Sequence, residues 1–339
     1  MNKSNVVYLF PGQGAQYQGM ALDFLTSGSA GAASAAVKEL FEQASEAFGK
    51  DSQALLRDSD IDTLKRTDVS QPTITLANLA AAAFLAEQGW VPKACAGFSL
   101  GEYAALVCAG VISAEDCFRL VKARGEAMQK FSDQLRETAG GDAESANAAI
   151  AAPGMAAIVG LAPDQVEALI VQWTGTGLKD LYVANFNSPK QVVVSGTAAA
   201  LTEAETRFKE AGAKRVIRLQ VAGPFHSPLL AGAADAFGPV LETVVFKDPK
   251  IPLYSNVIGK RVGSGVEAKK LALAQITSPV RWIGEEAAIM TDSKSGLNIE
   301  ACLEVGPGKV LQGLWKDSGN EIPCHAAGTV EDITKLEEA

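Results

Sequence analysis

The segment ACAGFSLGEYAALV, residues 94–107, places one serine between two glycines where an apolar run gives way to a helical pattern. Ala94 to Phe98 is short and apolar, as a buried strand is, whereas Leu100 to Val107 repeats apolar residues at three- and four-residue spacing. Glycine on each side of Ser99 allows a tight turn without a Cβ clash. The pattern predicts a strand that turns at Ser99 into a helix, which is a unit of α/β folds.

Two interpretations of Ser99 follow from this corner. Residues 97–101 fit the G-x-S-x-G nucleophile elbow, which exposes a serine Oγ at the top of a sheet and at a helix N-terminus. Alternatively, the serine only caps the helix through its side-chain oxygen. The motif alone does not decide between them, so the partners of Ser99 have to be sought elsewhere in the chain.

Strand-like apolar runs recur with helical stretches between them, at Val6 to Phe10, Ala94 to Phe98, Ile251 to Ser255, Ile299 to Glu304 and Cys324 to Ala327. Apolar strands that alternate with helices predict a mostly parallel sheet covered on both faces. Ser99 would then lie at the carboxyl end of a strand, where such sheets bind ligands.

The middle of the chain has a different order of elements. It predicts strand Met155 to Gly160, helix Pro163 to Trp173, strands Leu181 to Phe186 and Gln191 to Ser195, helix Ala198 to Ala211 and strand Arg215 to Val221. The order β-α-β-β-α-β is that of a ferredoxin-like unit. It would be inserted into the main domain and form a cleft at the junction.

We therefore expect an α/β protein with a hydrolase-like catalytic core of residues 1–136 and 222–339. A ferredoxin-like subdomain, residues 154–221, would be inserted into this core. Small and polar residues dominate 27–36 and 137–154. Such composition predicts mobile loops, and residues 137–153 would be the flexible connection to the subdomain.

Composition excludes several classes of function. A net charge of −9 argues against nucleic acid as a partner, because a phosphate backbone needs a basic footprint. The five cysteines are odd in number and show no C-x-x-C, so we expect buried free thiols in a reducing compartment. The first apolar run is too short for a signal peptide, and the block Leu79 to Ala86 is too short to span a bilayer. We expect a cytoplasmic protein.

An activated serine needs a base, and the chain has only His226 and His325. His226, in VAGPFHSPLL, follows the last subdomain strand and would border the cleft, whereas His325 lies in a strand-like run typical of a structural histidine. The backbone N-H of Leu100 would be one oxyanion donor, and the loop with Gly12 and Gly14 after the first strand could supply another.

Arg124, in VKARGEAMQ, lies one helix beyond the elbow. Most arginines are solvated, and this one has that simple interpretation too. If it faces the cleft, its planar guanidinium would suit a substrate carboxylate.

Eight blocks in order resemble the malonyl-CoA:acyl-carrier-protein transacylase family and the related acyltransferase domains of polyketide synthases. The blocks are FPGQGAQ, GFSLGEYAAL, RGEAMQ, ANFNSP, GPFHSP, YSNVIG, QITSPVRW and EVGPGKVL, and they span nearly the whole chain. Eight ordered blocks are far more specific than G-x-S-x-G alone.

The resemblance implies roles for individual residues. Ser99 would be the acyl-accepting nucleophile and His226 its general base and acid. Gln13 and Leu100 would offer the oxyanion N-H groups, and Arg124 would pair with the malonyl carboxylate. The main chain of Gln275 would orient the histidine. Substrate-pocket positions are also implied for three further residues: Asn185, Asn187 and Phe225.

The resemblance also implies the substrates. Malonyl-CoA would donate its acyl group, through the serine, to the phosphopantetheine thiol of acyl carrier protein, for fatty acid synthesis or for a trans-acting polyketide synthase. Neither a metal nor an organic cofactor is expected, and we expect a monomer. Phe225 would favour malonyl over methylmalonyl by crowding a methyl branch. Phe98 departs from the family, which usually has histidine before the nucleophile, and the segment 137–154 is longer than usual.

A serine hydrolase or thioesterase is the main alternative, with His325 as base and Glu304 or Asp292 as acid. A protein with this fold and a silent site is another alternative. For the transferase, an acidic carrier protein would need a basic surface. We expect it to be formed by a set of four residues near the cleft: Lys190, Lys214, Arg215 and Lys309.

Overall fold

The computed structural model describes residues 1–27, 34–138 and 152–338. The loops predicted at 27–36 and 137–153 lie largely outside the described residues. The strands are β1 Val6–Phe10, β2 Pro92–Gly97, β3 Gly154–Val159, β4 Leu181–Ser188, β5 Gln191–Gly196, β6 Arg215–Arg218, β7 Tyr254–Ser255, β8 Lys260–Arg261, β9 Ala301–Glu304 and β10 Cys324–Ala326.

The α-helices of the first half are α1 Ala35–Phe48, α2 Ser52–Asp58, α3 Ile61–Lys65, α4 Thr67–Glu87, α5 Gly101–Cys108 and α6 Ala114–Thr138. Those of the second half are α7 Pro163–Gly175, α8 Ala198–Glu210, α9 Ala231–Glu242, α10 Gly265–Ala274, α11 Trp282–Asp292, α12 Val310–Asp317 and α13 Val330–Glu338. The predicted elements agree with these to within three residues at their ends.

The core sheet has four parallel strands in the order β10-β9-β1-β2. All five residues of β1 are buried, because helices cover both faces of the sheet. The prediction of a parallel sheet is therefore confirmed, and β2 ends at the corner that carries Ser99.

Helix α4 is long and apolar enough to cross a membrane by length and composition, but 78% of its most apolar window is buried inside the protein. It packs against α1 and α6. This burial is what a central helix of a globular core shows.

The strand predicted at Ile251 to Ser255 is wrong in extent. Only Tyr254–Ser255 forms a strand, and it pairs with β8 in a two-stranded antiparallel ribbon. The residues before it touch the core sheet through a single bridge between Cys95 and Leu253. Pro252 lacks an N-H donor, so the ladder along β2 cannot continue through it.

The second sheet has the antiparallel order β4-β5-β3-β6, and α7 and α8 pack on it. This order is that of a ferredoxin-like unit, as predicted. Its apolar core is separate from that of the main sheet. The edge strand β4 is joined to the main domain because Phe186 N donates to Val280 O at 2.8 Å, and Val280 N donates to Ala184 O at 2.8 Å.

The five cysteines are free thiols. Cys95, Cys117 and Cys302 are buried, and Cys108 and Cys324 are half-buried.

Candidate active site

Ser99 lies in the tight corner between β2 and α5, with φ of 51°. Glycines make the corner possible, because an added Cβ on Gly97 would lie 2.1 Å from Gly101 C, and one on Gly101 would lie 2.0 Å from Phe10 O. A serine at positive φ is strained, and strain of this kind is held by the surrounding structure. No side-chain hydrogen bond caps α5, so Ser99 is not a capping residue here.

The hydroxyl of Ser99 instead faces a histidine from the other side of the cleft. Ser99 Oγ lies 2.8 Å from His226 Nε2, and His226 Nδ1 lies 2.9 Å from the carbonyl oxygen of Gln275. Since a carbonyl only accepts, Nδ1 carries the proton and Nε2 is left to accept the proton of Ser99. The three groups therefore form a proton-transfer chain that contains no carboxylate.

Burial controls the charge of the imidazole. Burial, with a smaller contribution from the nearby Arg124 cation, lowers the pKa of His226 to about 4. The histidine is consequently neutral at pH 7 and can act as a base.

Arg124 is buried, with 1% of its surface exposed, so it is not an ordinary solvated arginine. Its Nη2 donates to Gln275 Oε1 at 3.0 Å, and the guanidinium lies 5.5 Å from the ring centroid of Tyr103. Its Nε is buried and has no hydrogen-bond partner among the described residues. A buried cation that contacts a neutral amide rather than a carboxylate can bind an anion, because burying a charge without a contacting counter-charge is costly.

These groups line a cavity of about 300 Å³ between the core and the subdomain. All the predicted site residues except Gln275 line it: Gln13, Ser99, Leu100, Arg124, Asn185, Asn187, Phe225 and His226. Gln275 is completely buried behind them. The structure thus brings the predicted site together from both parts of the chain.

The loop after β1 lies directly against the elbow. A Cβ on Gly12 would be 2.4 Å from Phe98 O and 3.6 Å from Leu100 N. Gly12 therefore packs against the elbow, and the next residue, Gln13, lines the same cavity as Leu100, where an oxyanion would need two backbone donors.

The subdomain supplies the opposite wall. Asn187 Nδ2 donates to Gln191 Oε1 at 2.7 Å, whereas its Oδ1 is buried without a partner in the part of the chain that the structure describes. Phe225 is 6% exposed and lies beside His226. Phe98, at the position of the family's usual histidine, packs edge-to-face on Trp282 with centroids 5.5 Å apart. The apolar contact accounts for an aromatic ring at that position.

Sequence reasoning missed a buried polar layer beneath the elbow. Asn256 Oδ1 accepts from Ser99 N at 2.6 Å, and its Nδ2 donates to Gly97 O at 2.7 Å. Glu102 and Glu285 contact the same asparagine. The blocks GFSLGEYAAL and YSNVIG contain Glu102 and Asn256, but nothing in the spacing indicates that they meet.

The residues of the hydrolase alternative are elsewhere. His325 is on β10, at the opposite edge of the core sheet from β2. Glu304 accepts from the N-H groups of Leu311 and Gln312 at the start of α12, and Asp292 accepts from the Tyr254 hydroxyl at 2.7 Å. Both carboxylates have structural partners, and β9 and β1 separate β10 from the strand that leads to Ser99.

Three of the four predicted basic residues share one end of the subdomain sheet. Gly160 N donates to Lys190 O at 2.9 Å, Lys214 N donates to Val159 O at 2.8 Å, and Arg215 pairs with Val159. Lys309 precedes α12, whose first residues line the cavity, and its Nζ lies 3.9 Å from Asp332 Oδ1.

Comparison with known proteins places the chain among acyltransferases. A family model described as an acyl transferase domain matches residues 7–172. The malonyl CoA-acyl carrier protein transacylase of Bacillus subtilis strain 168 is 34% identical, over 97% of this chain and 95% of the relative. That of Escherichia coli K12 is 36% identical over 91% of each chain. This chain belongs to the malonyl CoA-acyl carrier protein transacylase family.

Solved structures of the transacylase family agree with the fold. An acyl carrier protein S-malonyltransferase from Vibrio cholerae matches with a TM-score of 0.83 and 34% identity, covering 98% of this chain and 100% of the other. A malonyl-transacylase in complex with its type II polyketide synthase acyl-carrier protein matches with a TM-score of 0.84 and 33% identity, covering 99% and 100%. The resemblance in the eight sequence blocks is thus confirmed.

Proposed function

We propose that this protein transfers a malonyl group from malonyl-CoA to the phosphopantetheine thiol of an acyl carrier protein, through an acyl-enzyme on Ser99. The proposal rests on one observation: the Ser99–His226 dyad and the buried Arg124 cation line the same cavity of about 300 Å³. A nucleophile and a cation at this site fit an acyl group that carries a free carboxylate.

In the first half-reaction, Ser99 Oγ attacks the thioester carbonyl while His226 Nε2 takes its proton. The backbone N-H groups of Gln13 and Leu100 stabilise the oxyanion. The intermediate collapses with cleavage of the carbon–sulfur bond, and the CoA sulfur leaves with the proton from His226. Thioesters are reactive acyl donors, so we propose that these residues suffice without a metal or an organic cofactor.

In the second half-reaction, the phosphopantetheine thiol gives its proton to His226 and attacks the Ser99 ester. Gln275 O holds the imidazole through Nδ1 at 2.9 Å, which keeps Nε2 pointed at the serine in both halves. Cleavage of the ester carbon–oxygen bond releases the malonyl group as a thioester, and Ser99 Oγ takes the proton from His226 to regenerate the hydroxyl. The exchange is ping-pong, since CoA departs before the carrier protein reacts.

Selectivity would come from two sides of the cavity. Arg124 favours acyl groups with a terminal carboxylate, whereas the ring of Phe225 beside His226 disfavours a 2-methyl branch. A single methyl group is worth only about 1 to 3 kcal/mol in a pocket, so the second preference is graded.

The carrier protein is the proposed second substrate. The curated relatives carry acyl carrier protein in their names, and one structural relative is in complex with a carrier protein. We propose that Lys190, Lys214 and Arg215 meet the acidic face of the carrier, because they lie together next to Gln191 at the cavity wall. Charge reversal at these positions should raise the KM for carrier protein and leave that for malonyl-CoA unchanged; an unchanged KM for the carrier would contradict this role.

Fatty acid synthesis is the process that we propose the enzyme supplies. The type II polyketide synthase carrier protein in the structural relative makes polyketide synthesis the second candidate. Competition between a fatty acid carrier protein and a polyketide carrier protein for the same acyl-enzyme would separate them by kcat/KM.

The acyl-enzyme is tested by intact mass. Wild type, Ser99→Ala and Arg124→Ala are each incubated with malonyl-CoA, acetyl-CoA or methylmalonyl-CoA and quenched in acid. We expect a malonyl adduct on wild type, a weak one on Arg124→Ala and none on Ser99→Ala. Absence of any adduct on wild type, together with hydrolysis of a plain ester, would overturn the transferase and favour the hydrolase.

A further inference from the structure

Two buried carboxyl groups lie beneath the nucleophile elbow and have no place in the mechanism above. Glu102, on α5, is 4% exposed, and Glu285, on α11, is 0% exposed. Asn256 bridges them, since its backbone N donates to Glu102 Oε2 at 2.9 Å and its Nδ2 donates to Glu285 Oε1 at 2.6 Å. Buried acids are costly unless they are neutral or compensated, so this pair needs an explanation.

Glu102 is connected to the arginine of the cavity through one amide side chain. Gln275 Nε2 donates to Glu102 Oε2 at 2.9 Å, and Gln275 Oε1 accepts from Arg124 Nη2 at 3.0 Å. The amide dipole is therefore aligned between an anion and a cation. This alignment lowers the energy of both charges without direct contact between them.

The other titratable groups around Glu102 do not neutralise Arg124. Burial and the Glu102 charge raise the pKa of Glu285 well above its usual value, and burial raises that of Tyr103, so both are neutral at pH 7. His226 is neutral as well, with a pKa of about 4. Burial raises the pKa of Glu102 to about 7, while the hydrogen bonds from Asn256 and Gln275 and, to a smaller extent, the Arg124 charge oppose the shift. Glu102 is thus the group near the cation whose charge changes close to neutral pH.

We propose that Glu102 is the counter-charge of Arg124 in the free enzyme, and that it takes up one proton from solvent when a substrate carboxylate binds to Arg124. The inference rests on the proposed function. One buried cation stabilises one anion well, whereas a second anion in the same low-dielectric site is repelled by the first. Protonation of Glu102 removes the repulsion and leaves Arg124 to the substrate.

The proposal makes substrate affinity depend on pH in a defined direction. Substrate binding is linked to proton uptake, so the half-saturating concentration of malonyl-CoA rises as pH increases above about 7. The limit for one linked proton is about tenfold per pH unit. The maximal acylation rate does not follow this dependence, because Glu102 does not touch the reacting atoms and acts as a positioning residue.

The experiment measures Ser99 acylation by malonyl-CoA between about pH 6 and pH 8.5 in wild type, Glu102→Gln and Glu286→Gln. In Glu102→Gln the amide oxygen can still accept from Asn256 and Gln275, so only the charge is removed. Glu286 is the matched control, because it is 1% exposed and has a pKa raised to about 7, but it bonds to Asn320 away from the cavity. We expect the half-saturating concentration to rise with pH in wild type and in Glu286→Gln, and to stay flat in Glu102→Gln.

A second measurement covers the case in which Glu102→Gln does not fold. Malonyl-CoA is titrated calorimetrically into Ser99→Ala at about pH 8 in buffers of different ionisation enthalpy, with acetyl-CoA as the ligand without a carboxylate. We expect uptake of about one proton with malonyl-CoA beyond that with acetyl-CoA.

The outcomes separate this proposal from the proposed function. No acyl-enzyme on wild type at any pH would overturn the function and the inference with it. Acylation with a pH-independent half-saturating concentration, the same slope in Glu102→Gln, or equal proton uptake with both ligands would overturn the Glu102 proposal alone.

Discussion

Replacement of Arg124 by methionine is predicted to separate stability from activity. The guanidinium is buried, its Nε has no partner within residues 1–27, 34–138 and 152–338, and its Nη2 donates to the neutral amide of Gln275. Methionine has a similar length, can fill the same volume next to Tyr103, and carries no charge to desolvate. The substitution therefore removes a group that favours substrate binding but costs folding free energy.

The magnitude follows from opposing contributions. Replacing a buried ion pair by apolar side chains is neutral or stabilises by about 1 to 4 kcal/mol, and we apply this range to Arg124 under conditions in which Glu102 is neutral. The hydrogen bond lost by Gln275 Oε1 costs about 1 kcal/mol, so we expect a net gain of about 0 to 3 kcal/mol in the free energy of unfolding. Removal of a buried partner of a substrate carboxylate costs about 2 to 5 kcal/mol. That range corresponds to a loss of about 30- to 5,000-fold in kcat/KM for malonyl-CoA.

The assay is denaturant unfolding of wild type and Arg124→Met at about pH 6, paired with Ser99 acylation by malonyl-CoA and acetyl-CoA. At this pH Glu102, with a pKa of about 7, is largely protonated in both proteins, so its charge does not obscure the comparison. We expect acylation by acetyl-CoA to be retained in the variant. Destabilisation by more than about 2 kcal/mol would refute the reasoning, because Arg124 would then be a structural residue.

Three further predictions concern the dyad, the elbow and the pocket. With His226→Ala we expect the acylation rate to fall by at least about 10²-fold. In wild type the acylation rate should fall only below about pH 4, since the lowered pKa keeps the imidazole neutral above that pH. A pH profile of acylation with its midpoint near 6.5 would contradict this. Gly101→Ala should lower the free energy of unfolding, measured by urea denaturation, by about 1 to 3 kcal/mol, because the new Cβ would lie 2.0 Å from Phe10 O. A change of less than about 0.5 kcal/mol would contradict this, because the corner would then relax around the added methyl group. Phe225→Ser should raise the methylmalonyl-to-malonyl ratio of kcat/KM by about 10- to 200-fold; an unchanged ratio would mean that the ring only packs.

Much of the architecture is encoded locally. The alternation of apolar runs with helical spacing predicts β1, β2 and β9 within two residues, because a buried parallel strand requires continuous apolar residues. The β-α-β-β-α-β order likewise predicts the second sheet. The sequence-based prediction makes the strand at Tyr254–Ser255 too long, because local apolar content does not show that Pro252 cannot join a hydrogen-bonded ladder.

The glycine-flanked corner, the two candidate bases and the family resemblance can be read from the sequence, since they depend on residue types close together in the chain or on ordered motifs. The surroundings of these residues follow from the tertiary fold. Arg124 is buried rather than solvated, and Glu102, Asn256 and Gln275 meet beneath Ser99 from segments up to 173 residues apart. Burial and long-range hydrogen bonds set the protonation and orientation of these groups, and no local pattern reports them.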